Sequence, residues 1–254
     1  MKQIPILTIL FTWILFSPYL KAHHAMEFID LEGYSTAHKG EWIIHFHYDY
    51  MVEDADNPRL DHWEYTPGMS YGINNRLMFD VHTHYAKFGM DHLVDSTDSS
   101  FEPDGPSPFM EAIAGSLQYR VTTSSPVQVA LACHYEMPFS RSEELLGGEE
   151  VWGGTAIISH EFGNHKLACL NLTVEREGNE TFEEWAFGIK SPFTEDPHGI
   201  SGGLEFRGDF EDEFSTLAGL YIPLMNQRMV LKTGLELGSG GERSRVNVTL
   251  MYRF

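Results

Sequence analysis

The sequence is short of cysteine, of positive charge and of long apolar runs. Only Cys133 and Cys169 occur in 254 residues, and neither sits in a Cys-x-x-Cys pair. This excludes a disulfide framework and a thiolate metal cluster. The two fall on predicted strands two apart with opposite facing, which argues against a bond between them and leaves them as packing residues. Lys and Arg number 17 against 37 Asp and Glu, a formal charge of −20. Such a balance repels nucleic acid and favours cations, although much of it solvates loops. Beyond residue 22 the longest apolar runs, such as Val129-Ala130-Leu131-Ala132-Cys133, are the length of strands, too short for a spanning helix.

The one longer apolar stretch is at the start. Lys2 precedes a run from Ile4 to Phe16, and Leu20-Lys21-Ala22 offers a small-residue cleavage site. This reads as an export signal over residues 1–22, to be cleaved, and the alternative is an anchoring helix. Cleavage after Ala22 removes Lys2 and Lys21 and no acid, so the formal charge moves from −20 to −22. Residues 23–40 then form a periplasmic or lumenal segment, in which Phe28, Ile29 and Leu31 are suited to tuck inside as a small plug.

From residue 41 to 254 the pattern is period two, broken by turns. Trp63, Tyr65, Pro67, Met69, Tyr71 and Ile73 share one face, and His62, Glu64, Thr66, Gly68, Ser70 and Gly72 the other. Asn74-Asn75 makes a tight turn, and Leu77, Phe79, Val81, Thr83 and Tyr85 return opposite Met78, Asp80, His82 and His84. The last strand alternates Val246, Val248, Leu250, Tyr252 and Phe254 against Arg245, Asn247, Thr249 and Arg253. The spacing predicts strands near 41–51, 61–73, 76–87, 109–121, 127–138, 151–162, 165–176, 182–191, 199–208, 213–222, 228–238 and 243–254. The sixth and tenth alternate poorly, at Ala156-Ile157-Ile158 and Leu217 to Ile222. An even number near twelve, faces that are apolar outside and polar inside, and breaks that alternate between short and long predict an all-β, transmembrane, antiparallel up-and-down barrel. Only a closed sheet lets strands cross lipid with every backbone group paired.

With the amino-terminal end in the periplasm, Trp42, Tyr71, Tyr119, Tyr221 and Tyr252 fall near the periplasmic edge. Tyr48, Tyr50, Trp63, Tyr65, Tyr85 and Tyr135 fall near the outer edge. Two such belts suit a bilayer's interfaces, and a soluble β-sandwich has no reason to make them. These features place the protein in the bacterial outer membrane, with lipid as its surroundings.

The segment Glu64-Tyr65-Thr66-Pro67-Gly68-Met69-Ser70-Tyr71-Gly72-Ile73-Asn74-Asn75-Arg76-Leu77 resembles the hairpin of outer-membrane barrels related to the phenol meta-pathway family. That resemblance implies a channel or transporter, with aromatic compounds or metals as solutes, and brings no catalytic motif. The terminal Tyr252-Arg253-Phe254 resembles the signal by which Tyr252 and Phe254 are read by the barrel-assembly machinery.

All 13 histidines lie beyond residue 22. His45, His47 and Asp49 share the inward face of the first strand, His62 and Glu64 that of the second, and Asp80, His82 and His84 that of the third. Residues two apart on a strand lie about 6.5 to 7 Å apart on one face, so imidazoles and carboxylates there can converge on Zn, Cu or Ni. The competing reading is a hydrated polar lining. His23 and His24 would begin the cleaved chain, where a free amine and imidazole together suit copper. Ser159-His160-Glu161 has the residue types of an esterase triad, but sequence neighbours on a strand face opposite ways. The expectation is a channel or transporter for a small cationic or aromatic solute, with a non-conducting structural or metal-binding barrel as the alternative and a membrane esterase third.

Overall fold

The computed structural model describes residues 28–29, 31–52, 61–87, 108–123, 125–139, 149–163, 165–196, 198–210, 214–225, 227–238 and 243–254. The proposed signal peptide, His23 and His24 lie outside these residues. The described chain forms β1 (Trp42–Val52), β2 (His62–Asn74), β3 (Leu77–Lys87), β4 (Phe109–Arg120), β5 (Val127–Pro138) and β6 (Val151–Phe162). It continues with β7 (Lys166–Glu177), β8 (Glu180–Pro192), β9 (Ser201–Asp209), β10 (Phe214–Leu224), β11 (Met229–Gly238) and β12 (Ser244–Arg253). Each strand pairs antiparallel with its sequence neighbours, and β1 pairs with β12, from Ile43 opposite Arg253 to Val52 opposite Ser244. The result is a closed, all-β, 12-stranded antiparallel barrel. Every strand end falls within two residues of its predicted place, because strict alternation pins register wherever one face must avoid lipid.

Two irregularities locally re-aim side chains. Between β3 and β4 the pairing steps from His84–Ala112 to Tyr85–Met110, which leaves Glu111 as an extra residue. Between β2 and β3 it steps at Ile73, next to the Asn74-Asn75 turn. There the Asn74 side chain accepts the N–H groups of Arg76 and Leu77, the local bonding that makes Asn a turn residue.

The outer wall is apolar and its aromatic rings pair across strands. Trp42 of β1 meets Tyr71 of β2 at 4.6 Å between ring centroids, and at the same rim Tyr252 meets Phe254, two residues on in the same chain segment, at 6.0 Å. Tyr48–Trp63 and Tyr65–Tyr85 pair nearer the opposite rim. One expected belt member is elsewhere: Tyr221 points inward and is buried. Its hydroxyl donates to Glu205 at 2.8 Å. The parity of β10 puts Leu217, Gly219 and Tyr221 on the inner face, where they meet protein and not water.

What they meet is the segment before β1. Phe28, Ile29, Leu31, Thr36 and Ala37 are buried against inward-facing residues of the barrel. Phe28 and Leu31 join Ala130, Ala132, Ile157, Leu167 and Cys169 in one apolar cluster, and Ile29 joins Leu217 and Tyr221 in another. The interior is therefore a packed core on one side and a polar lining on the other. The weak alternation of β6 and β10 has its cause here: Ile157, Leu217 and Tyr221 face inward and stay apolar because the plug covers them.

Candidate functional site

The plug is held by charged groups as well as by packing. The Glu205 carboxylate accepts the N–H of Ile29 at 2.7 Å and of Leu31 at 3.1 Å, along with the Tyr221 hydroxyl. Lys232 donates through Nζ to the Phe28 carbonyl, and Gln118 donates through Nε2 to the Gly33 carbonyl at 2.7 Å. The Lys190 ammonium lies 4.3 Å from the centre of the Tyr221 ring, a cation–π contact that keeps this cation paired in a low-dielectric place. Two glycines make room: a Cβ on Gly188 would lie 2.6 Å from the Phe28 ring, and one on Gly219 2.6 Å from the Ile29 side chain. Further along, the N–H of Gly40 reaches the Gly72 carbonyl at 2.8 Å, and that of Gly72 the Glu41 carbonyl at 3.0 Å. Together these bonds attach the segment to both sides of the barrel.

The opposite wall is the histidine cluster expected from the sequence. Asp80 is its hub. His45 Nε2 lies 2.8 Å from one carboxylate oxygen, His82 Nδ1 lies 2.7 Å from the other, and Ser70 donates to the first at 2.6 Å. His47 belongs to a second group: its Nε2 is 2.7 Å from Asp49, its Nδ1 2.7 Å from the Thr249 hydroxyl, and Asn247 bridges it to Asp49. His84 sits 3.4 Å from Glu136, and His62 4.0 Å from Glu64. The structure thus gathers His45, His82 and Asp80 and sends His47, His62 and His84 to separate carboxylates. Among the described residues no three His, Cys, Asp or Glu side chains are arranged to hold one metal ion.

Toward the rim opposite the chain ends, a charge ladder crosses β9 to β12. Arg207 reaches Glu236 at 2.8 Å and Arg245 reaches it at 2.6 Å, with Arg245 also 3.7 Å from Asp49. Beside this ladder and over the plug lies a cavity of about 180 Å³. Leu31 and Glu32 of the plug form part of its wall, and Glu175, Glu184, Glu236 and Arg207 of the barrel line it too. Glu32 Oε2 is buried with no hydrogen-bond partner among the described residues. Burial raises the Glu32 carboxyl above the usual carboxylate range; His134 pulls it back in part, while Glu175 and Asp80 push it further up.

The histidine wall was legible in the sequence, whereas the plug's receivers, Gln118, Lys190, Glu205, Tyr221 and Lys232, were not. Their signal was parity, since Lys190, Glu205 and Lys232 occupy inward positions beside glycine or apolar neighbours. The two cysteines form no disulfide, with Cys133 exposed and Cys169 buried. Ser159 donates to Cys169 Sγ at 3.0 Å, whereas His160 is held by the Pro126 carbonyl at 2.7 Å. The two side chains therefore do not address each other.

A closed barrel of this size, with a lipid-compatible wall and a polar interior, is a bacterial outer-membrane β-barrel. Solved structures agree on the fold. The COG4313 outer membrane channel from Pseudomonas putida F1 matches with a TM-score of 0.59 at 11% identity, over 89% of this chain and 100% of its own. A KdgM porin in complex with disordered oligogalacturonate matches with a TM-score of 0.58 at 9% identity, over 84% of this chain and 99% of its own. No protein-family profile matches the chain, and no curated protein matches it.

Proposed function

We propose that the protein is an outer-membrane channel for small solutes, favouring cations, and that it is closed while the plug, described over residues 28–29 and 31–37, occupies its lumen. The observation that carries this is the interior: a closed barrel lined on one wall by ionisable side chains, with a short segment filling the other. The 12-strand fold shared with a porin and a channel supports a conducting role. The excess of carboxylates in the lumen supports the preference for cations, since a narrow low-dielectric passage focuses the field of its lining. Tyr252 and Phe254, at the carboxyl end of the seam, are the residues offered to the barrel-assembly machinery.

The test is single-channel conductance of the refolded protein with reversal potential in asymmetric salt. Steps that reverse toward the cation's equilibrium potential are expected, becoming more frequent when the plug is loosened. A correctly folded barrel that gives no steps with the plug either intact or loosened would sink the channel reading and favour a non-conducting barrel.

A transition-metal role is the second reading, favoured by the His45–Asp80–His82 clasp. Binding of Zn, Cu or Ni there requires the imidazoles to exchange Asp80 for the ion, and the family resemblance of the 64–77 hairpin allows such a solute. Saturable zinc binding that disappears in a His45→Ala, His82→Ala double variant supports it; unchanged affinity rejects it.

A further inference from the structure

We propose that the cavity between the plug and the β5–β11 wall is a binding site for a small organic cation bearing one or two primary ammonium groups, and that such a ligand holds the plug seated. The inference deepens the channel reading and rests on it for the ligand's route, while the site itself stands on its geometry.

At about 180 Å³ the cavity is several times a water molecule's share of liquid volume, roughly 30 Å³. Its carboxylates are not equally available. Glu205 is committed to the plug backbone and Tyr221, and Glu236 to two arginines. Glu175 lies 3.2 Å from His134. Glu32 has a buried Oε2 with no hydrogen-bond partner among the described residues; Glu236 Oε2 also lacks a hydrogen bond, yet Arg245 lies 2.6 Å from it. A buried carboxylate oxygen without a donor is costly, and a ligand N–H placed against it removes that cost. Glu32 and Glu175 also repel each other across the cavity wall, so a cation near both is stabilised twice.

The arrangement disfavours a bare metal ion. A hard divalent cation needs six or more oxygens close around it, and among the described residues no three ligating side chains converge. Carboxylates spread around a cavity suit a ligand whose charge is carried on a body. Leu31, Ala186 and Leu217 in the same wall offer apolar surface to methylenes, and the Thr155–Thr173 hydroxyl pair, 3.1 Å apart, offers acceptors. Because Glu32 and Leu31 belong to the plug, the site is complete only when the plug is seated. A ligand that binds only that state stabilises it by mass action.

The experiment is calorimetric titration of the full chain in detergent micelles with 1,4-diaminobutane, at mildly alkaline pH. Saturable binding near one per chain is expected, weakened roughly tenfold or more in Glu32→Gln, the loss of one charged hydrogen bond. The uncharged analogue 1,4-butanediol should give no saturable heat. Equal affinity in the wild type and Glu32→Gln, absence of binding in the wild type, or displacement by equimolar magnesium would each overturn the proposal. If Glu32→Gln does not fold, as judged by heat-modifiable gel migration, Glu175→Gln takes its place with the same expected weakening. No bilayer is involved, so a barrel that binds the diamine and passes no current refutes the channel and leaves the site, and the converse result does the opposite.

Discussion

Across the lumen, β1–β5 and β6–β11 face each other with different chemistry. The first wall presents His45, His47, His62, His82, His84 and the acids between them, each joined to a partner on its own strand or no more than two strands away. The second presents Ile157, Leu217, glycines and the charged residues Lys190, Glu205 and Lys232, which bond to or surround a segment brought from the other end of the chain. The histidines of the first wall find their partners within the barrel, where Gln118 alone of the named groups turns to the plug; Glu205 and Lys232 of the second bond to the plug backbone. The difference teaches where a change should be felt. Damage to the histidine wall loosens the sheet around it, whereas damage to the receiving wall releases the plug and leaves the sheet paired.

Breaking that comparison is most direct at Glu205. Glu205→Ala strands two buried N–H groups and the Tyr221 hydroxyl, a loss of about 4 kcal/mol of plug binding, and channel openings in planar bilayers should rise more than tenfold with thermal stability of the barrel little changed. Phe28→Ala removes a buried ring from the apolar cluster and should weaken seating by about 3 kcal/mol, seen as faster proteolysis within residues 28–38. On the other wall, Asp80→Ala leaves His45, His82 and Ser70 without their hub; a loss of about 2 kcal/mol in urea unfolding is expected, with opening frequency not increased. If Asp80→Ala opened the channel as Glu205→Ala does, the division between the walls would be wrong.

The smallest effect is one of pH. The seated plug raises the Glu32 carboxyl, with His134, Glu175 and Asp80 facing it, so the seated state binds the proton more tightly than the free segment. Below the ordinary carboxylate range both states are protonated and this group does not oppose seating. As pH climbs from that range through the raised one, seating weakens. Openings should therefore become more frequent with rising pH, and Glu32→Gln should flatten that part of the profile.

The strands were legible because lipid on one side and polar groups on the other impose alternation at nearly every position. The inner faces of β6 and β10 were not, because alternation presumes a wet lumen and the plug makes those positions dry. Tyr221 was misplaced for the same reason: an aromatic near a rim suits an interface unless a buried carboxylate and lysine claim it. The histidine wall was visible as residues two apart on three successive strands. Its division into an Asp80 group and an Asp49 group was not, since that depends on which oxygen each ring reaches.

The seam between β1 and β12 has a consequence for how the molecule is made. Trp42 and Phe254 exchange both of their backbone hydrogen bonds at 3.0 Å, so β1 can meet β12 only after all the intervening strands have been made. The plug immediately precedes β1, yet its anchors Glu205 and Lys232 are 176 and 204 residues away from the groups they hold. Contacts so distant in the chain form late, because closing long loops is entropically slow. Seating of the amino-terminal segment therefore belongs to the end of biogenesis, and a nascent barrel passes through a stage in which neighbouring strands are paired while its interior is still unfilled.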